Sequence, residues 1–342
     1  MSSTGAGIPY QFRTNKFIDR QIFFNFLERY SKFKKIEGAG YVSMGAYSMV
    51  DHSHIYRRFG INRLYSFDGN PKVIDRAKFN RPINACICET EITTDVASKI
   101  HSIRSKLRLD PDSPLLIWFD YTSRLRKTEL DDLAILLPLL SEGDVVRFTF
   151  NANPRGYTNS KFRRPNEKKK RTIRKENFRK LYRSVGLDEN ELPNNSYAYR
   201  DEGIPKILTQ TIDQAALEAM SSNIGLDFDI VSAVHYKDST EMISVTGVII
   251  KSSNRPTLNK KLDLKNWPFK LRGVHEPLNL SLKQITLREY LTMDSLVASN
   301  AADADIVQAL GFEKIDGEEV TDLLPQFRMV SRFYPSFLAV SL

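Results

Sequence analysis

Between Pro114 and Asp120 the chain sets Leu115, Leu116, Ile117, Trp118 and Phe119 in unbroken succession and then stops on an acid. A strand that is apolar at every position is covered on both faces. Strands of that kind belong to sheets packed between two layers of helices, so this one run directs attention to the order of elements around it.

That order is regular. The spacing of Phe17, Ile22, Phe23, Phe26, Leu27 and Tyr30 predicts a helix over 17–33. A short apolar run, Gly40 to Gly45, precedes a helical pattern through Phe59, closed by Gly60. Arg63–Asp68 reads as a second strand, Asn70-Pro71 opens a helix to Lys78, Ile83–Cys88 is a third strand, and Thr93–Leu107 a long helix. After the Pro114–Asp120 strand come a helix over Leu130–Leu140 and a fifth strand over Asp144–Phe150. A helix over about 206–224 leads to two strands, Phe228–Tyr236 and Glu241–Ile250, joined tightly as an antiparallel hairpin. The expected fold class is therefore α/β: a Rossmann-like doubly wound sheet, mostly parallel, with a terminal antiparallel hairpin and a small C-terminal appendage. The expected division is a leader and helix over 1–35, the sheet domain over 36–253, and the appendage over 254–342, with short helical patterns and a strand at its end.

The 342 residues suffice for that plan, and 27% charged with 41% hydrophobic residues is ordinary for a globular protein. No window approaches 18 uninterrupted apolar residues, which argues against a membrane helix, and the N-terminus carries neither a basic flank nor an apolar run of the secretory kind. Cys86 and Cys88, the two cysteines, cannot build a disulfide framework or a four-ligand structural zinc site, so no metal and a cytoplasmic location are expected.

The net charge of +9 is concentrated. Residues 155–183 hold thirteen basic and two acidic side chains, an excess of +11 that leaves −2 for the rest of the chain. Tyr157, Phe162, Phe178 and Tyr182 are interleaved. Such a segment could bind nucleic acid, with Arg163, Arg164, Lys168, Lys169, Lys170, Arg171, Arg174 and Lys175 on phosphates and the aromatics on unpaired bases. Equally, it could be a solvated insertion whose aromatics anchor it to the body. A membrane surface is disfavoured, because an apolar helical face is missing.

Ligands of doubly wound sheets bind at the carboxyl ends of the strands, where the strand order reverses. Three such ends carry suitable groups. Met44-Gly45-Ala46-Tyr47-Ser48 is a small-residue turn into a helix that could bring backbone N–H groups to a ligand. Asp68 lies 23 residues after Gly45 and could accept both hydroxyls of a ribose. Asp120, followed by Tyr121, would enter the same crevice, and Glu89 at the end of the third strand would lie near an adenine ring. A different frame, Glu37-Gly38-Ala39-Gly40, matches a glycine loop on paper but precedes the apolar run instead of following it, so the Met44 frame is preferred. His52 and His54 sit two apart on a helix, where side chains diverge by about 200°, so chelation is not expected and an exposed or capping role is. His235 and Asp238, beside the hairpin turn, are expected to be structural. No P-loop and no nucleophile elbow is present.

The element order and these strand-end acids resemble the class I S-adenosylmethionine-dependent methyltransferases over about residues 36–250. Within them, Tyr41–Gly45, Ser66–Asn70, Ala77–Pro82, Trp118–Thr122 and the His235–Asp238 hairpin look similar to a bacterial group described as putative O-methyltransferases. The resemblance implies a seven-stranded sheet with a reversed last strand and S-adenosylmethionine as cofactor, held by Met44, Gly45, Ala46, Tyr47, Asp68, Asn70, Glu89 and Asp120. It implies Asp120 or Tyr121 as the group that positions the acceptor, which could be a nucleic acid or nucleotide, a protein or a small molecule. The loop departs from the family's acid-x-Gly-x-Gly-x-Gly pattern, with one glycine and a tyrosine. The alternatives are a catalytically inactive methyltransferase-like module that binds nucleic acid or assembles with a protein partner through the appendage, and a nicotinamide-dependent oxidoreductase. The terminal hairpin and the poor glycine loop lower the latter.

Overall fold

The computed structural model describes residues 13–158, 165–223 and 225–335. It opens on α1 (Thr14–Tyr30), then β1 (Gly40–Ser43), α2 (Val50–Phe59), β2 (Arg63–Asp68), α3 (Pro71–Asn80) and β3 (Ile87–Thr90). Two short helices, α4 (Thr93–Ser98) and α5 (Ile100–Lys106), precede β4 (Leu115–Arg124), α6 (Lys127–Leu136) and β5 (Val145–Asn151). Next come the basic helix α7 (Glu167–Val185), α8 (Ile204–Met220), and the hairpin strands β6 (Leu226–Lys237) and β7 (Glu241–Lys251). The chain continues through α9 (Arg255–Leu262), β8 (Leu278–Leu280), α10 (Leu287–Ala298), α11 (Asp303–Leu310), β9 (Lys314–Ile315), β10 (Glu318–Glu319) and α12 (Val320–Val330).

The main sheet has eight strands in the order β3-β2-β1-β4-β5-β7-β6-β8. β1 through β5 pair in parallel and β7 runs antiparallel to β5, as the alternation and the hairpin predict. β1 lies between β2 and β4, so the chain winds outward from it in both directions. The carboxyl end of the β1/β4 pair is the switch point.

Several expected boundaries shift. The third strand runs to Thr90 rather than stopping at Cys88, and the long helix after it breaks at Lys99, which serves as the C-cap of α4 and the N-cap of α5. β4 continues past Asp120 to Arg124, with a register irregularity between those two residues. The terminal strand expected in the appendage lies beyond the described residues.

Two compact units emerge. The larger, Phe26–His235 with Met242–Leu278, contains the sheet body. It takes in residues 254–278, where Leu258, Leu262, Trp267 and Phe269 are buried, so the body extends past the boundary expected at 253. The smaller unit comprises the described residues up to Asn25, the hairpin tip Tyr236–Glu241, and the described residues from Asn279 onward. In it, Asp238 accepts from the backbone N–H groups of Asn15 (3.1 Å) and Lys16 (2.9 Å), capping the start of α1. The structural role expected of Asp238 is this one. Met293, Ile306, Val320, Leu324 and Phe327 form a separate core among α10, α11 and α12. No described helix is long and apolar enough to cross a membrane.

Candidate functional site

Alternation along the strands sorts the sheet residues onto two faces. Val42, Tyr65, Phe67, Ile117, Phe119, Tyr121, Phe148 and Phe150 all join one apolar core cluster. The residues between them point the other way: Ser43 on β1, Ser66 and Asp68 on β2, Trp118 and Asp120 on β4. Pairing fixes their level, because Ser43 lies beside both Ser66 and Trp118. Asp68 is two residues past Ser66, Asp120 two past Trp118, and Gly45 two past Ser43. The two aspartates therefore flank Gly45 on one face and at one height, about 10 Å apart across two strand spacings.

The loop between β1 and α2 is held in place from beneath. A Cβ on Gly45 would lie 2.5 Å from Ser66 Oγ, 2.7 Å from Met49 Sδ and 2.8 Å from His52 Cε1. Its glycine is required by internal packing. Ala46 (φ 46°) and Met49 (φ 51°) are left-handed, a conformation that costs an L side chain about 1–2 kcal/mol each and that glycines would adopt freely. The loop thus takes a glycine-loop shape without the glycines, and strain of this kind gathers at ligand sites. We expect Gly45→Ala to destabilise the fold by about 1–3 kcal/mol through overpacking, read as a lower urea midpoint at unchanged slope.

Tyr47 does not lie across the crevice toward β4. Its carbonyl accepts from Asn80 Nδ2 at 2.7 Å and its ring sits 3.6 Å from the Arg76 guanidinium, both on α3, which packs against β2 and β3. The preferred frame for the loop is the observed one, since Glu37–Gly40 enters β1 at its amino end. Met44 is half-buried against the apolar core. Asp68 is half-exposed and accepts from the Asn70 N–H at 2.7 Å through Oδ1, while Asn70 caps α3 by accepting from Lys72 N–H at 3.0 Å. No side chain caps α2, whose first N–H groups follow the loop directly.

Three sequence assignments change. Tyr121 points to the opposite face from Asp120, is buried against Phe150, and donates to Asp132 at 2.8 Å. Burial and the Asp132 charge push its hydroxyl well above the ordinary tyrosine range, and its orientation takes it off the face that carries Asp120. Glu89 also lies on that opposite face, accepting from Tyr65 Oη at 2.7 Å and pairing with Lys106 at 2.6 Å, which withdraws it from the crevice. His52 is fully buried instead of exposed, its Nε2 3.1 Å from the Tyr65 carbonyl. Burial lowers its pKa, which keeps the ring neutral. Alternation read through Ser43 and Ser66 would have revealed the polar face that receives it. Both serine hydroxyls and His52 Nδ1 are buried without a hydrogen-bond partner among the described residues.

The basic segment resolves mostly into packing. Tyr157, Phe178 and Tyr182 are buried, with the Tyr157 and Phe178 rings stacked at 5.2 Å, so they anchor α7 and are not available to stack on bases. Arg174, 1% exposed, donates to Thr158 Oγ1 and the Tyr199 carbonyl and pairs with Asp201 at 2.6 Å. Lys175 bonds the Asn194 carbonyl, Arg171 lies over the Tyr197 ring, and Lys170 pairs with Glu167. Lys168 and Lys169 are exposed. Arg163, Arg164 and Phe162 fall outside the described residues. Among the described residues no cluster of three or more His, Cys, Asp or Glu side chains is placed to hold a metal ion.

A doubly wound sheet with a reversed β7, a strained loop at the switch point and an acid at the same height on each side of it defines the class, an α/β protein of the kind that takes ligands at the carboxyl edge of its sheet. The chain belongs to the family described as "Putative O-methyltransferase", whose model matches residues 8–342. No curated protein matches it in sequence. Among solved structures it is similar to an O-methyltransferase from Bacillus cereus solved with SAH, at 14% identity over 67% of this chain and 80% of that one, with a TM-score of 0.36. A plantazolicin methyltransferase solved with a desmethylPZN analog and SAH is 9% identical over 68% and 86%, with a TM-score of 0.38. Fibrillarin, solved in complex with Nop5p, is 13% identical over 62% and 72%, with a TM-score of 0.33.

Proposed function

We propose that this protein transfers a methyl group from S-adenosylmethionine to an acceptor oxygen at the carboxyl edge of β1, β2 and β4. The observation that carries the reading is the common height and face of Gly45, Asp68 and Asp120, joined to membership of an O-methyltransferase family. The donor set fits the cofactor. Asp68 keeps one carboxylate oxygen clear of its bond to Asn70 and can accept ribose hydroxyls. The uncapped first turn of α2 offers N–H groups to a carboxylate. The sulfonium, when bound, supplies the activated methyl group. The chain's own contribution is position: Asp120, half-buried on the far side of Gly45, would orient the acceptor hydroxyl in line with that methyl.

Calorimetric titration with S-adenosylmethionine, and in parallel with NAD, tests the reading. Saturable binding of the first and none of the second supports it. Binding of NAD alone would replace it with an oxidoreductase, and binding of neither would leave the inactive-module reading.

A nucleic-acid acceptor draws its support from exposed Lys168 and Lys169 in the first turn of α7. With the neighbouring aromatics buried, contact would be with phosphate and not with bases. Replacing both lysines by glutamine should then weaken binding to single-stranded RNA by several-fold at low salt and reduce the salt slope by about 1–2. An unchanged slope would remove nucleic acid from consideration.

A further inference from the structure

A cavity opens where β4 ends, and none of its lining residues lies at the Gly45 loop. It encloses about 300 Å³ between the residues just past β4, the turn Pro154–Tyr157 and helix α7. It is lined by Arg124, Arg126, Lys127 and Lys180, and no acidic side chain among the described residues lines it. Arg126 is matched by Glu129 at 2.6 Å and Lys127 by Asp131 at 2.7 Å. Arg124 and Lys180 have no carboxylate partner among the described residues. The Arg124 guanidinium is tied to the Gly156 carbonyl, which fixes its direction without neutralising it. Its apolar floor is Leu181, backed by the largely buried Leu125, Tyr157 and Phe178. Tyr157 is itself locked, since its hydroxyl donates to the Asn151 carbonyl at 2.9 Å and accepts from Leu125 N–H at 3.0 Å.

Two cations left unmatched beside a preformed apolar floor are complementary to an anion with an apolar body. We propose that this cavity binds a small organic anion, a phosphate or carboxylate whose charge lies between Arg124 and Lys180 and whose apolar part rests against Leu181 and the apolar lining around it. At about 30 Å³ per water-sized group, the space suits a molecule of roughly ten non-hydrogen atoms. The site does not depend on the cofactor assignment, because none of its residues belongs to the Gly45 crevice. It also accounts for part of the charge on α7 that packing leaves over.

Phenyl phosphate, benzoate, inorganic phosphate and phenol, titrated separately into the full-length protein, test the proposal. Phenyl phosphate or benzoate should bind saturably, at least about tenfold more tightly than inorganic phosphate and phenol, and more weakly as salt rises. The better of the two names the anion. Lys180→Glu, at an exposed position where folding is not at stake, should weaken binding by about tenfold or more, and Lys180→Met by less. S-adenosylmethionine titrated into the same variants should show the affinity of the unsubstituted protein, which separates this site from the crevice. Equal affinity in the Lys180→Glu variant, or no saturable binding of any probe, would overturn the site. Equal binding of inorganic phosphate and phenyl phosphate would overturn the role of the apolar floor.

Discussion

Asp68→Ala should reduce the affinity for S-adenosylmethionine by about a hundredfold or more while leaving the fold intact. The magnitude follows from two hydrogen bonds to a charged acceptor, worth about 1.5–3 kcal/mol each. The carboxylate is half-exposed at the end of β2, and its one internal bond is to the Asn70 N–H, so little stability is at risk. Asp68→Asn keeps one acceptor oxygen and should fall between the two. Titration calorimetry reads the affinity and a thermal melt confirms folding. An Asp68→Ala variant that binds within twofold of the unsubstituted protein would remove the ribose assignment and, with it, the use of the β1/β4 crevice.

The second large effect concerns stability. Arg174 is one of the residues that the charge pattern offers to nucleic acid, yet its guanidinium is buried among Thr158, the Tyr199 carbonyl and Asp201. Arg174→Ala removes those bonds, leaves the Tyr199 carbonyl without its donor, and opens a space beneath α7. A cost of about 3 kcal/mol is expected, the lower end for breaking a buried charge pair, because Asp201 reaches solvent. In a domain of this size that lowers Tm by about 6–12 °C. Arg174→Lys should recover only part of it, since one ammonium cannot span three partners set around a planar fork. A Tm within about 1 °C of the unsubstituted protein would show that the side chain is not load-carrying and return it to the surface.

How far each residue was legible follows from what its sequence signal encodes. The five parallel strands and the hairpin came through because alternation and unbroken apolar runs are local properties. Asp68 and Asp120 are legible for the same reason, as each terminates an apolar run, although β4 itself continues past Asp120 to Arg124. Glu89 carried an identical signal and has a different role. It falls one residue short of the Asp68 level, opposite Phe67, and that single step turns it to the other face, where Lys106 and Tyr65 take it up. Tyr121 was misplaced by the same rule, being adjacent to Asp120 and therefore opposite to it.

The basic segment shows the converse. Composition registered its thirteen cations but could not tell a guanidinium that holds a helix down from one that faces solvent. Helix α7 contains both, Arg174 inside and Lys168 outside. Nor could spacing reveal the cavity past β4, since Arg124 and Lys180 are brought to one rim by the packing of α7 against the end of a strand more than forty residues earlier.

The amino-acid sequence by itself determined the class of sheet, the succession of strands and helices along the chain and the acids that close its apolar runs, because hydrophobic period and chain direction act over a few residues at a time. Only the tertiary structure decided which of those acids share a face, why Gly45 must be glycine, and which cations are buried. Those properties depend on strand register and side-chain contact between distant segments, where a shift of one residue reverses the outcome.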